Sequence, residues 1–307
     1  MTVINMISLG EEGIAVADEQ ASLQIRKFNI AQKLRLLNDS FVYGGSGAIS
    51  YIREIYDRTK KAIEEQKQKK DNFALSEVYQ IAQGAIIDQS YTIKNIALLS
   101  SMGFGLSEFL AGTLAKTGQK IDPDIMKNAA INEQKVTDDS RLQFLLGGVE
   151  NKRFEIYMID SGYGGVLLDQ PYGSIGSGSD ESSKVLSGYL ASLPREKRNA
   201  IDRHEGLIKI IEATNASSRL NIGVGGSPSI VYVKSDGGVI RPNEKQCILA
   251  SEIVQGLGAN LLDRDFSYNA VSELVYSSGD FDSIEEEMKQ KATDWKKLDR
   301  ILRGYKE

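Results

Sequence analysis

Thr2 stands directly behind Met1, in the opening stretch MTVINMISLGEEGIAVADEQASLQIRKFNIAQKLRLLNDSFVYGGSG. A threonine at a chain terminus carries a nucleophile and a base on one residue. Its α-amino group, with a reference pKa of about 7.7 to 8, takes the hydroxyl proton near neutral pH. Removal of Met1 would create that terminus, and no catalytic histidine would then be required. The chain has one histidine, His204, and one cysteine, Cys247. Cys247 can form no internal disulfide, and the two residues are too few for a zinc site of the usual make-up, so both read as structural and no metal or cofactor is expected. His204 falls in a charged stretch without a partner motif and reads as a surface side chain.

The elements that must position Thr2 are legible around it. The apolar runs VINMIS and GIAVAD, divided by the turn-like LGEEG, predict a β-hairpin, and Asp18 ends its second strand. KLRLLND and FVYGGSG predict two more strands, with Lys33 at the start of one, a glycine-rich turn closing the other, and Gly47 opening a helix. That helix runs from Ala48 to about Lys70, and FALSEVYQIAQGAIIDQSY predicts a second. Further on, GSGSDESS reads either as a flexible serine loop or as a helix N-terminus capped by Ser179 or Asp180. Taken singly these residues are unremarkable: an Asp ending a strand is commonly a turn former, and a Lys on a strand is commonly solvated.

Jointly, the layout resembles the N-terminal half of proteasome β subunits, and DEQAS with KLRLLND is especially similar to the HslV-like branch of the N-terminal-nucleophile (Ntn) hydrolases. In that pattern a terminal Thr is followed by an Asp, a Lys and a Gly turn, and the matching positions are Thr2, Asp18, Lys33 and Gly47. The stretch YGSIGSGSDESSKVLSGYL resembles the family's strand-to-helix turn, with Ser177 matching the serine that lies near the terminal Thr. The resemblance implies that Lys33 lowers the proton affinity of the Thr2 amine, that Asp18 holds Lys33, and that the Gly47 N–H stabilises the oxyanion. One departure is visible. Where active subunits place an Asp and, three residues on, a Ser before paired glycines, this chain has Asn221 and Val224 ahead of Gly225 and Gly226. Asn221 retains hydrogen-bonding capacity without charge, and Val224 supplies none.

With 307 residues, 41% of them hydrophobic, and only five prolines, the composition is that of a globular protein large enough for a sizeable core. The net charge of −5, with Lys and Arg dispersed, gives no basic face for nucleic acid. No basic n-region precedes an apolar h-region, so a cytoplasmic chain is expected. The apolar run NIALLSSMGFGLSEFLAGTLA contains Glu108, several serines and a GFG break, which predict two short helices rather than a membrane span. A short helix at DIMKNAAINEQ follows, then a three-strand meander in RLQFLLGGVENKRFEIYMIDSGYGGVLLD, a helix to Leu190, and another marked by Ile208, Ile210 and Ile211. NIGVGGSPSIVYVKSDGGVIRP predicts a last hairpin, and Ile284, Met288, Trp295, Leu298, Ile301 and Leu302 predict one amphipathic C-terminal helix.

The resemblance implies an α+β fold, a four-layer α/β/β/α sandwich of two antiparallel sheets. Residues 1–260 would form the Ntn hydrolase domain, with a helical insertion at about 92–138, and residues 261–307 a C-terminal helical extension. The expected function is a threonine-type peptidase that cleaves peptide or protein substrates and self-associates into a homo-oligomer, without nucleic-acid or membrane partners. The same acyl-enzyme resolved by an amine would make a peptide ligase or transpeptidase. A non-catalytic proteasome-like subunit is the reading that Asn221 and Val224 favour.

Overall fold

A computed structural model of the chain describes residues 2–23, 26–28, 32–37, 40–67, 73–220, 224–277 and 279–303. In order, its elements are β1 (Ile4–Ser8), β2 (Gly13–Asp18), β3 (Ala21–Leu23), β4 (Arg26–Phe28), β5 (Leu34–Leu37) and β6 (Phe41–Ser46). The helices α1 (Ile49–Lys67), α2 (Leu75–Met102), α3 (Leu106–Ala111) and α4 (Pro123–Asp139) come next. Then follow β7 (Gln143–Glu150), β8 (Arg153–Asp160), β9 (Gly164–Leu167), β10 (Tyr172–Ile175), α5 (Ser179–Ser192) and α6 (Arg203–Leu220). The last are β11 (Pro228–Val233), β12 (Val239–Ile240), α7 (Glu244–Gly258), α8 (Arg264–Tyr276), α9 (Phe281–Lys291) and α10 (Trp295–Leu302).

The fold is mixed α+β, with two antiparallel five-stranded sheets ordered β10-β1-β2-β11-β12 and β5-β6-β7-β8-β9, and a hairpin of β3 with β4. Two compact units divide the chain, one of Met1–Ser46, Phe144–Met158 and Val166–Glu307, the other of Gly47–Gln143 and Ile159–Gly165.

In the first unit the predicted hairpin is β1 with β2, in register from Ile4 opposite Ala17 to Ser8 opposite Gly13. Both strands are buried on both faces. Ile4, Met6, Ala15 and Ala17 join Leu34, Val42, Leu145 and Phe154 in an apolar cluster shared by the two sheets. Ile7, Ile14 and Val16 point the other way, into a larger cluster built with α5 to α8. Double burial is the physical reason that VINMIS and GIAVAD read as nearly unbroken apolar runs. Inside the β1 run, Asn5 is a polar residue that is fully buried, on the helix side.

The larger cluster takes in Leu261, Phe266, Leu274, Ile284, Met288 and Leu298, so the C-terminal helices share the core of the first unit. The single C-terminal helix expected from periodicity is two, α9 and α10. Ala292 leaves helical geometry at ψ 124°, and the Asp294 side chain caps a fresh helix by accepting from Lys297 N at 3.0 Å.

In the second unit the apolar run that was expected to form two short helices instead continues α2 to Met102, where Gly103 ends it in the left-handed region at φ 78°. Only the part beyond the GFG break is a short helix, α3. Glu108 fixes that break: its carboxylate accepts from Gly105 N at 2.9 Å and from Ala115 N at 2.8 Å. The segment expected as a short helix after it is the 17-residue α4, capped by Asp122. Leu98, Phe104, Leu106, Ile121 and Ala129 make a small core among these helices. Among the described residues no helix is long and apolar enough to cross a membrane.

Phe154 links β8 to the hairpin. Its N–H donates to Gly10 O at 2.7 Å, its carbonyl accepts from Ser8 Oγ at 2.8 Å, and its ring occupies the space that a Cβ on Gly13 or Gly147 would fill. Removing a buried aromatic ring costs about 3–5 kcal/mol through lost burial and the cavity left behind. Phe154→Ala is therefore expected to lower the urea midpoint by that equivalent, and a loss under about 1 kcal/mol would show that the ring does not seal the sheet pair.

Candidate active site

Asp18 closes β2 where that strand pairs with Pro228 of β11, and Lys33 immediately precedes β5. Lys33 Nζ donates to Asp18 Oδ1 at 2.7 Å, with 7% of the Lys33 side chain and 2% of the Asp18 side chain exposed. Lys33 is thus a buried partner and not the solvated side chain that a strand lysine usually is. The carboxylate has two further donors: Val3 N to Oδ1 at 2.8 Å and Gly225 N to Oδ2 at 3.2 Å. Burial pushes the Asp18 carboxyl above its ordinary range, opposed by the Lys33 charge and the hydrogen bonds from Lys33, Val3 and Gly225. Burial also pushes the Lys33 ammonium down, opposed by the Asp18 charge.

Asp18 reaches Thr2 through the backbone, since the Val3 amide it holds is the one that follows Thr2. The rest of Thr2 is gripped by the turn between β10 and α5. Thr2 N donates to Ser177 Oγ at 3.1 Å, and Thr2 O accepts from Gly178 N at 3.1 Å. Gly176 makes this approach possible: it stands at φ 94°, and a Cβ on it would collide with the Thr2 carbonyl. Neither Ser179 nor Asp180 caps α5, contrary to the expectation from sequence. Both lie inside its first turn, and Gly178 occupies the cap position without a side-chain bond.

Thr2, Asp18, Lys33 and Ser177 are therefore assembled within the first unit. Gly47 belongs to the second unit, where it stands at φ 130° and a Cβ would run into the Leu142 side chain and the Arg141 carbonyl. Val224 is buried, and its Cγ2 would lie 3.1 Å from a Cβ on Gly178. Asn221 lies outside the described residues.

The remaining chemistry-bearing side chains are elsewhere. The Cys247 thiol is buried, pushed up to about 12 by desolvation, and directed at Pro242 O at 3.7 Å. Such a thiol is inert near neutral pH. His204 is half-buried and not the surface side chain expected: Nδ1 is 2.5 Å from Ser272 Oγ, and the ring meets the edge of Tyr276.

No protein-family model matches the chain, and no curated protein matches it. The site residues that residue typing missed are Val3, Gly178 and Gly225, all of which act through backbone N–H groups. Their only sequence signal is position, beside Thr2, inside GSGSD and in the paired glycines.

The pair makes a pH prediction. Asp18, raised from 3.8, contributes stability that is present below that value and lost as pH rises through the folded one. Lys33, lowered from 10.5, contributes stability that is present above that value and lost as pH falls through the folded one. The stability of wild type relative to an Asp18→Asn, Lys33→Met double variant should therefore pass through a minimum between the two windows and rise toward both extremes. Urea midpoints across pH measure it, and a maximum near neutrality would contradict the burial effect. Asp18→Ala alone should cost about 3–5 kcal/mol, because it leaves the Lys33 ammonium buried and unpaired.

Proposed function

We propose that this chain is a threonine-nucleophile hydrolase of the proteasome β-subunit and HslV-like type, acting on peptide bonds of peptide or protein substrates. The observation that carries the reading is the buried Lys33–Asp18 pair, whose carboxylate also holds the amide next to Thr2 while Ser177 meets the Thr2 nitrogen. A lysine is expensive to bury. Its placement beside a residue able to become a terminal nucleophile is what a solvated structural lysine would not explain. In this reading the two sheets lie between two helix layers, as the four-layer sandwich requires, and the mature chain begins at Thr2.

The chemistry follows from proton bookkeeping. Thr2 Oγ attacks the scissile carbonyl carbon as its hydrogen passes to the neutral α-amine, and the carbonyl π electrons move to oxygen. The tetrahedral centre collapses, the C–N bond breaks, and the leaving amine takes the proton back from the ammonium. Water then adds to the Thr2 ester with the same amine as base, releasing the carboxylic acid and restoring Oγ–H. Lys33, charged, disfavours the ammonium and so keeps the amine basic form populated near neutral pH.

A second reading, a non-catalytic subunit, is favoured by Val224, whose buried apolar side chain stands where active subunits have a hydrogen-bonding serine. Probe labelling separates the two. Purified protein is expected to start at Thr2 by intact mass and to be labelled covalently by an epoxyketone. Thr2→Ala should abolish labelling, and Lys33→Ala should slow it by about 10³–10⁴, the loss common for members of a catalytic constellation. Labelling that persists in Thr2→Ala would falsify the assignment, whereas wild type that begins at Thr2 and stays unlabelled favours the non-catalytic reading.

Self-association into a homo-oligomer is the corresponding partner proposal. Its support is the set of large apolar side chains left in solvent on α2, α3 and α4, including Ile87, Ile96, Leu110 and Ile131. Light scattering is expected to give a mass above 33.8 kDa, and one subunit mass across concentrations would remove the idea.

A further inference from the structure

Beneath the turn that grips Thr2 lies a buried polar cluster built from one asparagine and four hydroxyls. Asn5 Nδ2 donates to Ser182 Oγ at 3.1 Å and to Thr214 Oγ1 at 2.9 Å, while its Oδ1 accepts from Ser174 Oγ at 2.6 Å. Ser182 Oγ and Ser217 Oγ are 2.7 Å apart, and Ser217 Oγ donates to Gly178 O at 2.6 Å. Asn5, Ser182 and Ser217 are fully buried and Thr214 is 2% exposed, so each of these groups must find its partners inside the protein.

Counting hydrogens gives the cluster a direction. A serine hydroxyl has one hydrogen. The Ser217 hydrogen goes to Gly178 O, the shorter of its two carbonyl contacts, the other being Ala213 O at 3.3 Å. Ser182 has two acceptors within reach, Ser217 Oγ at 2.7 Å and Ala213 O at 3.1 Å; with the Ser217 hydrogen on Gly178 O, the shorter contact takes the Ser182 hydrogen, and Ser182 accepts from Asn5. The path reads Asn5 N–H, Ser182 O–H, Ser217 O–H, Gly178 carbonyl, every donor pointing the same way, which is the arrangement in which successive hydrogen bonds polarise one another. Thr214 is a side branch: it accepts from Asn5 and donates to Ile210 O at 2.9 Å, without reaching the turn.

We propose that Ser217, oriented from Asn5 through Ser182, is a positioning residue for Thr2. It pins Gly178 by its carbonyl, so that the Gly178 N–H stays on Thr2 O and the adjoining Ser177 hydroxyl stays on Thr2 N. On the side where a Cβ would stand the fit is close, since that atom would meet Ser217 Cβ, Val224 Cγ2 and Val3 Cβ at 3.1 Å each. Val3 and Val224 are apolar and supply contact without direction, while the Ser182 amide donates to the same Gly178 carbonyl at 3.3 Å, a longer contact than the 2.6 Å one from Ser217. The catalytic consequence rests on the threonine-nucleophile reading; the pinning of the turn does not.

The test uses three single variants of the full chain, each checked for folding by its urea midpoint. Ser217→Ala and Ser182→Ala cut the path, while Thr214→Val removes the side branch alone; Ser217→Cys replaces Ser217→Ala should the latter not fold. Two quantities are read on each, hydrogen exchange at the Gly178 amide by NMR and the pH profile of epoxyketone labelling. In Ser217→Ala and Ser182→Ala, Gly178 exchange is expected to quicken about tenfold and labelling to slow about tenfold, roughly 1.4 kcal/mol each. The labelling midpoint should move to lower pH, because an acceptor that favours the ammonium is no longer held in place. Thr214→Val should change neither quantity. Unchanged Gly178 exchange in Ser217→Ala, or equal effects in Thr214→Val, overturns the proposal. If wild type never labels, the nucleophile reading fails and Gly178 exchange alone decides whether Ser217 pins the turn.

Discussion

The carboxylate of Asp18 is the point on which the site depends. It is almost fully buried, and it accepts from three separate stretches: the Lys33 ammonium before β5, the Val3 amide just before β1 and the Gly225 amide before β11. A buried charge without partners is among the costliest features a protein can carry, so the chain must bring all three stretches to Asp18 or not fold there at all. The constraint runs outward: holding Val3 fixes the residue after Thr2, and holding Gly225 fixes the strand that borders β2.

An apolar pair of similar volume would serve stability as well or better, because desolvation of two charges offsets most of their attraction. Stability alone therefore does not explain a buried lysine at this place. The surrounding hairpin supplies rigidity for it. β1 and β2 are packed on both faces, between the second sheet and the helices α5 to α8, so the end of β2 has little freedom to move relative to the start of β1.

Much of this was legible in the sequence, and the misses share a cause. The hairpin, the strands after it, the meander and the helices could be read because side-chain periodicity reports burial directly. Asp18 and Lys33 were visible as residue types at the spacing that carries the resemblance, but their burial was not, since a strand lysine is ordinarily solvated. Helix limits failed where capping, not periodicity, decides: α2 runs on until Gly103, and the C-terminal helix divides because Asp294 offers a cap. Half-burial of His204 depends on Ser272 and Tyr276, distant in sequence. The contributions of Val3, Gly178 and Gly225 are made by backbone amides, which every residue except proline possesses, so residue type carries no signal of them.

Val224 shows how such a site can be held with different chemistry. A serine at that place could orient its neighbours through hydrogen bonds, whereas a valine can only fill space, and dispersion contacts vary slowly with rotation of the group they touch. Packing from Val3 and Val224 therefore limits how far Gly178 can move but does not choose the orientation of its peptide planes. Orientation requires a directional partner. The Ser217 hydroxyl supplies one at 2.6 Å, beside the longer 3.3 Å contact from the Ser182 amide, and it is linked through Ser182 to Asn5, a side chain with two donors and one acceptor engaged inside a mostly apolar strand. The polar residue that interrupts β1 and the apolar residue at position 224 then act on one turn in two ways: hydrogen bonding reaches the Gly178 carbonyl through Ser217, and Val224 packs against Gly178.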